Sequence, residues 1–305
     1  HIEDGTIIYR YSAEEMVEKI ENLNLEISAK SLSGPFVVDG GLTVRGIPLE
    51  IATSVGKISG PGPAAIKLGV RVPNTQSEID LTGALNQLNA KPRLKGKISA
   101  KGPDLAKLFT AITRSPQPEM LRQDFTLNAQ IDASAKAIAI DGIALSFGGT
   151  HATGGVNAVL GEKLQADIAL RIGRIDLDKL LAINPASSSK SDAATANQAA
   201  DMGKPKIQSG FALPKNINGT LDLAVDAATF KGGQIRGIKF AASLNDGELT
   251  LNQVTARLPG GAEASLFGFL IAKKGKPDFD GSVDLRADNL RAVMSWLKVD
   301  TSTIP

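Results

Sequence analysis

Cysteine is absent from the 305-residue sequence, and histidine occurs only at His1 and His151. Without cysteine the chain cannot form disulfides, zinc ribbons, iron–sulfur clusters or a thiol nucleophile. Because His1 is terminal, only His151 is left for a metal site or a Ser–His–Asp triad. We expect no metal and no cofactor, and we expect His151 to be a turn residue in the glycine-rich stretch 148–155.

Aromatic residues and net charge are also scarce, at 4% and +2. A nucleic-acid-binding protein usually concentrates Lys and Arg on one face and often stacks bases on aromatic rings, so we expect no nucleic-acid partner. The sequence contains no signal peptide and no run near the roughly 18 apolar residues of a membrane helix. If the native protein has a membrane anchor, we expect the anchor to lie outside this sequence.

Sequence motifs for catalysis are lacking as well. There is no GxxxxGK[ST] loop and no strand–GxGxxG–helix unit. Asp141 and Asp167 fall on the polar faces of alternating segments, and Asp176 with Asp178 is expected to begin a helix. We therefore expect no enzyme.

What dominates the chain is alternation of apolar and polar residues, as in Phe125-Thr126-Leu127-Asn128-Ala129. Successive side chains of a strand point to opposite faces, so each such segment predicts a strand with one apolar face. Turn signals at 39–41, 231–234, 245–248 and 258–261 separate the segments. The sequence predicts a mostly β fold with a few short helices, an antiparallel meander.

Short amphipathic helices are predicted at 102–109, with Asp104 as N-cap, at 175–181 and at 288–297. Their stripes are expected to pack on the sheet, and Trp296 to anchor the last helix. Two strand–Gly-Gly–strand units, 142–160 and 254–272, indicate a repeat-like organisation. Residues 12–21 fit either a helix with a capping box or a strand.

One segment, 184–209, has almost no large apolar side chains and is predicted to be a flexible linker or disordered loop. It divides the chain into a first β-groove module, 1–183, and a second β module, 210–305, which ends in an amphipathic helix. The second module is either separate from the first or continuous with it.

The order of these strand, turn and helix units resembles the AsmA family of Gram-negative envelope proteins, which are similar to bridge-like lipid transfer proteins. The resembling stretches are 32–49 (LSGPFVVDGGLTVRGIPL), 95–109 (KGKISAKGPDLAKLF), 147–160, 174–181, 213–270 and 287–300.

The resemblance implies an antiparallel sheet curled into an open groove with an apolar interior. It also implies a periplasmic location, an N-terminal inner-membrane anchor that this chain lacks, and phospholipid as the partner. The function implied is lipid transport between membranes and outer-membrane biogenesis. The alternative is a non-catalytic scaffold that binds envelope assembly proteins through its sheet edges.

Alternate residues of each strand would line such a groove with aliphatic side chains, and each acyl methylene that they shield contributes about 0.8 kcal/mol. The same residues could instead form an ordinary core under a second layer. The predicted lipid-contact residues are Ile79, Leu81, Phe125, Leu127, Ile131, Ile138, Ile140, Leu145, Phe147, Leu164, Ile168, Leu170, Leu221, Leu223, Val225, Leu249 and Leu251.

Overall fold

The computed structural model of the chain describes residues 1–11, 16–59, 62–86, 91–113, 115, 117–181, 213–273 and 276–298. These residues form sixteen strands, three short α-helices and two 3₁₀ turns, Pro73–Thr75 and Glu119–Leu121. The helices are α1 (Leu105–Thr113), α2 (Leu177–Leu181) and α3 (Leu290–Leu297). The strands are β1 (Ile2–Tyr11), β2 (Met16–Ala29), β3 (Phe36–Val44), β4 (Ile47–Val55), β5 (Ala64–Val72), β6 (Ser77–Asn86), β7 (Arg93–Gly102), β8 (Phe125–Ser134), β9 (Ala137–Phe147), β10 (Thr150–Val159), β11 (Leu164–Asp176), β12 (Ile217–Phe230), β13 (Gly233–Asn245), β14 (Glu248–Leu258), β15 (Ala262–Lys273) and β16 (Lys276–Ala287).

All of these strands lie in one sheet, in chain order from β1 to β16. Neighbours are antiparallel, as predicted, except for β11 and β12, which are parallel. Parallel neighbours need a long crossover connection. The predicted linker 184–209 falls in that connection and outside the described residues. The strand before this connection, β11, and the strand after it, β12, are hydrogen-bonded to each other, so the sheet is continuous.

The sheet is a curled, open surface whose two edge strands, β1 and β16, do not pair with each other. Register shifts interrupt several of its ladders, for example between β2 and β3, between β8 and β9, and between β14 and β15. A β-bulge bends its strand and increases the local twist. The bulges therefore favour a groove over a flat sheet.

A turn is predicted at Asp39-Gly40-Gly41, and this prediction is wrong because the three residues lie inside β3. Gly40 has a φ of +150° and faces the register shift in β2 that precedes Asn24. A Cβ on Gly40 would lie 2.0 Å from the carbonyl oxygen of Asn24. The glycine lets β3 approach the bulged part of β2, and it does not reverse the chain.

The connections between strands lie in two rows, one at each end of the strands, and the direction of each strand decides in which row its connection lies. The row that we call the helix rim carries the three helices, both 3₁₀ turns and the connections 45–46, 148–149, 231–232 and 259–261. The opposite row, the turn rim, carries the connections that include the described residues 30–35, 56–59, 62–63, 91–92, 135–136, 160–163 and 246–247. Residues 213–216 lead into β12 at the turn rim as well. In the described part of the chain, helices therefore occur at one rim only.

All three predicted helices are confirmed, and a side chain caps each of them. Asp104 Oδ1 accepts a hydrogen bond from the Lys107 amide at α1 (2.9 Å), and Asp176 Oδ1 accepts one from the Lys179 amide at α2 (3.1 Å). Asn289 caps α3 in the same way, at 3.0 Å. The amide of Lys179 is also the main reason that the pKa of Asp176 lies below its usual value.

The open alternative at 12–21 is resolved in part. Residues from Met16 onward belong to β2 and are strand, whereas 12–15 lie outside the described residues. No helix among the described residues is long and apolar enough to cross a membrane.

The close approach at Gly40 generates a stability prediction. Gly40→Ala forces its new Cβ against the Asn24 carbonyl and should lower the free energy of unfolding by about 2–3 kcal/mol. The matched control is Gly41→Ala, where a Cβ would meet nothing closer than 3.8 Å. This control should stay within about 0.5 kcal/mol of the unmodified chain in urea denaturation. Equal losses in the two variants would contradict the role assigned to Gly40.

Candidate functional site

The residues predicted to contact lipid all lie on one face of the sheet, the apolar face. Directly paired residues of neighbouring strands share a face, and the pairings connect the predicted residues from β6 to β14. Leu127 of β8 pairs with Leu145 of β9, for example, and Ile168 of β11 pairs with Leu221 of β12. The register therefore joins separate segments of the chain into one aliphatic surface.

This surface extends beyond the predicted residues in both directions. Leu68 of β5 pairs with Leu81, and Leu270 of β15 pairs with Leu249. At about 4.8 Å per strand, sixteen strands span about 70 Å. The apolar-face residues that the prediction did not include alternate with polar residues in the same way, as in the sequence IKLGVRV at 66–72. The additional apolar-face residues include Val38, Ile51, Leu68, Val70, Phe240, Val254, Leu266 and Leu270.

Side chains in the middle of the apolar face are less buried than those near the helix rim. Of the seventeen predicted residues, fourteen are only half-buried, Leu81, Ile168 and Leu223 among them. A sandwich core would bury aliphatic side chains almost completely. Half-burial is instead what a single-layer sheet gives, in which neighbours on the same face screen each side chain. Three of the fourteen, Ile79, Leu127 and Leu145, also pack against a hydrophobic cluster at the helix rim.

Phe125, Phe147 and Val225 are the exceptions, since they are buried. Phe125, only 3% exposed, and Phe147 belong to a hydrophobic cluster at the helix rim, which we call the rim cluster. Phe125 and Phe147 are therefore core residues, and their side chains offer almost no surface to a ligand. The buried members of the rim cluster are Val72, Ala100, Leu105, Leu108, Met120, Phe125 and Phe147.

The last helix, α3, is anchored at the same rim. Trp296 Nε1 donates a hydrogen bond to the Phe230 carbonyl oxygen (2.8 Å), and the two rings meet edge to face at 6.2 Å. These contacts confirm the predicted anchoring role of Trp296. Val293 is buried at 2% exposure, but Leu290 and Leu297 remain exposed. Only part of the predicted apolar stripe of α3 packs.

The opposite, outer face carries charged pairs across neighbouring strands. Glu78 accepts from Lys101 (Nζ–Oε2 3.0 Å), and Asp132 pairs in bidentate fashion with Arg93. The hydrogen bond from Lys101 lowers the pKa of Glu78, and that from Arg93 lowers the pKa of Asp132. Asp141 and Asp167 are exposed on this face, as predicted, and Asp167 accepts from the Thr220 hydroxyl (2.6 Å).

Two depressions of about 570 and 380 Å³ lie on the outer face, where small residues such as Gly69 and Ala169 lower the surface. Among the described residues no group of three or more His, Asp and Glu could hold a metal ion. His151 is exposed and lies in β10 beside the predicted Gly148-Gly149 turn, with Nδ1 2.9 Å from Ser146 Oγ. The residue flanks the turn and is not part of it.

Comparisons with protein-family models, with curated proteins and with solved structures find no match for this chain.

The difference between the rim cluster and the middle of the apolar face is open to measurement. Phe125→Ala leaves a cavity in the rim cluster and should cost about 3–5 kcal/mol of unfolding free energy. Leu223→Ala removes a half-exposed side chain and should cost only about 1 kcal/mol in the same urea titration. A loss at Leu223 as large as that at Phe125 would mean that a covering layer buries the middle of the face.

Proposed function

We propose that this chain is a periplasmic segment of an AsmA-like protein and shields phospholipid acyl chains on its apolar face during transport between membranes. One observation supports the proposal above all others. A continuous aliphatic surface crosses the whole sheet, and its middle stays half-exposed in the part of the chain that the structure describes.

Such a surface is costly in water. The largest apolar patch on a typical soluble monomer covers a few hundred Å², and larger patches usually mark sites of interaction. Covering apolar surface contributes about 25 cal/mol per Å². An acyl chain on the apolar face would gain this free energy along its whole length, as would the side chains under it.

The chemistry of the apolar face suits a flexible hydrocarbon. Its side chains are mainly aliphatic, and glycines pair across strands at Gly83–Gly96 and Gly268–Gly281. At these positions the glycines let the paired backbones approach closely, and the Phe279 ring lies against Gly268 and Gly281. A disordered acyl chain needs apolar contact without a fixed shape or a hydrogen-bonding partner, and these residue types supply it.

The scaffold alternative is favoured by one feature, the open edge at β16. Nearly all of this strand is exposed, and Val283 on its apolar face is 70% exposed. An unpaired edge can accept a strand from another protein. If the purified chain captured an envelope protein through β16 but carried no lipid, the scaffold would be the better account.

Site-specific photocrosslinking tests the shielding proposal. A photoreactive residue at position 127 or 168, in place of Leu127 or Ile168, should crosslink to phospholipid in cells, because both positions lie on the apolar face. The matched controls are the neighbouring positions Asn128 and Asp167, whose side chains point to the outer face. Mass spectrometry of the adducts identifies the lipid.

Adducts at 127 and 168, with none at 128 and 167, would support the proposal. Lipid adducts at the outer-face positions alone would show that the outer face, and not the apolar face, contacts lipid. If all four positions gave only protein adducts, the lipid role would fail and the scaffold would be favoured.

A further inference from the structure

The turn rim carries lysine in a regular pattern. Counting residues 213–216, seven connections at this rim include described residues; six of them contain a lysine, and 246–247 does not. All six side chains are exposed. They are Lys30, Lys57, Lys91, Lys136, Lys163 and Lys215.

Few acidic residues offset these charges. In the same connections the described residues include only Glu162 and Asp246 as carboxylates, and Asp246 pairs with Lys163. The other five lysines form no ion pair with any described residue. The helix rim differs, because between β7 and β8 the acids Asp104, Glu119 and Asp124 accompany the basic residues. Over their described connections the helix rim has seven basic residues against five carboxylates, whereas the turn rim has six against two. The excess of positive charge is therefore larger at the turn rim.

These lysines lie close to the ends of the aliphatic rows. Lys136 comes two residues before Ile138, and Lys163 directly precedes Leu164, both on the apolar face. Successive turns at one rim are two strands apart, which is about 9.6 Å. From β2 to β12, the apolar face is thus bordered by a lysine at each of these connections.

We propose that the turn rim binds the phosphate groups of phospholipids whose acyl chains lie on the apolar face. The inference rests on the proposed function, because only a lipid held on that face brings its phosphate to this border. An ammonium group is a compact point charge that suits phosphate. Lipids would then lie with headgroups at the turn rim, opposite the helices.

The test compares two multiple variants of the full chain. In the turn-rim variant Lys30, Lys57, Lys91, Lys136 and Lys215 are changed to Gln. In the matched control Lys67, Lys97, Lys107, Lys179 and Lys239, which lie on the outer face or at the helix rim, are changed to Gln. Both lose five charges, and circular dichroism checks that both fold.

Each protein is loaded from detergent micelles that carry either phosphatidylglycerol or diacylglycerol with the same acyl chains, at low and high salt. Bound lipid is counted by mass spectrometry. The unmodified chain and the control should prefer phosphatidylglycerol, and high salt should weaken the preference. The turn-rim variant should lose about fivefold or more of that preference, since one lysine near a lipid phosphate contributes about this factor, while its diacylglycerol loading stays unchanged.

Three results would overturn the inference. Equal preference in all three proteins would show that the turn rim does not bind the lipid phosphate, although the proposed binding of lipid on the apolar face would still hold. Equal loss in both variants would point to net charge and not to the rim. Inorganic phosphate is titrated into each lipid-free protein as well, and its binding to the unmodified chain without any preference between the lipids would assign the rim to a free anion. If no protein loaded either lipid, the proposed function itself would fail.

Discussion

Cross-strand register is the constraint on which the rest of the structure depends. Side chains alternate with a period of two, so a slip of one residue in any ladder would move that strand's aliphatic side chains to the outer face. The observed register keeps Leu81, Leu127, Ile168 and Leu251 on one face although they come from distant parts of the sequence. Bulges shift the pairing, yet Leu145 and Ile140 on the two sides of one bulge, and Leu251 and Val254 on the two sides of another, remain on the apolar face. On β15, Phe267, Phe269 and Ile271 instead lie exposed on the outer face.

The single parallel pair among the described strands decides at which rim the last helix lies. Because β11 and β12 run in the same direction, every later strand is reversed relative to a pure meander. Without this reversal, α3 would follow β16 at the turn rim. With it, α3 joins α1 and α2 at the helix rim, and the turn rim keeps short connections rich in lysine. One rim is thus packed and mixed in charge, and the other is exposed and cationic.

Local sequence predicted much of this fold, because strands and caps are set by local residues. The alternation around Phe125, the Asp104 cap and the Gly148-Gly149 turn all correspond to observed elements. Local sequence did not predict the features that depend on a strand far away in the chain. Gly40 serves a bulge in another strand, and the parallel pairing of β11 with β12 depends on the whole connection between them. At the candidate site, Phe125 and Leu127 alternate identically, and only the packing of the helices separates the buried residue from the half-exposed one.

The shielding role requires that the apolar face binds hydrocarbon. Methyl NMR of the protein loaded with a phospholipid that carries a spin label in its acyl chain tests this most directly. We expect strong broadening of leucine and isoleucine methyl signals from the apolar face, such as those of Leu81 and Leu223. The methyl signals of Ala52 and Ala169 on the outer face should stay sharp. Equal broadening on both faces, or none on the apolar face, would contradict the account.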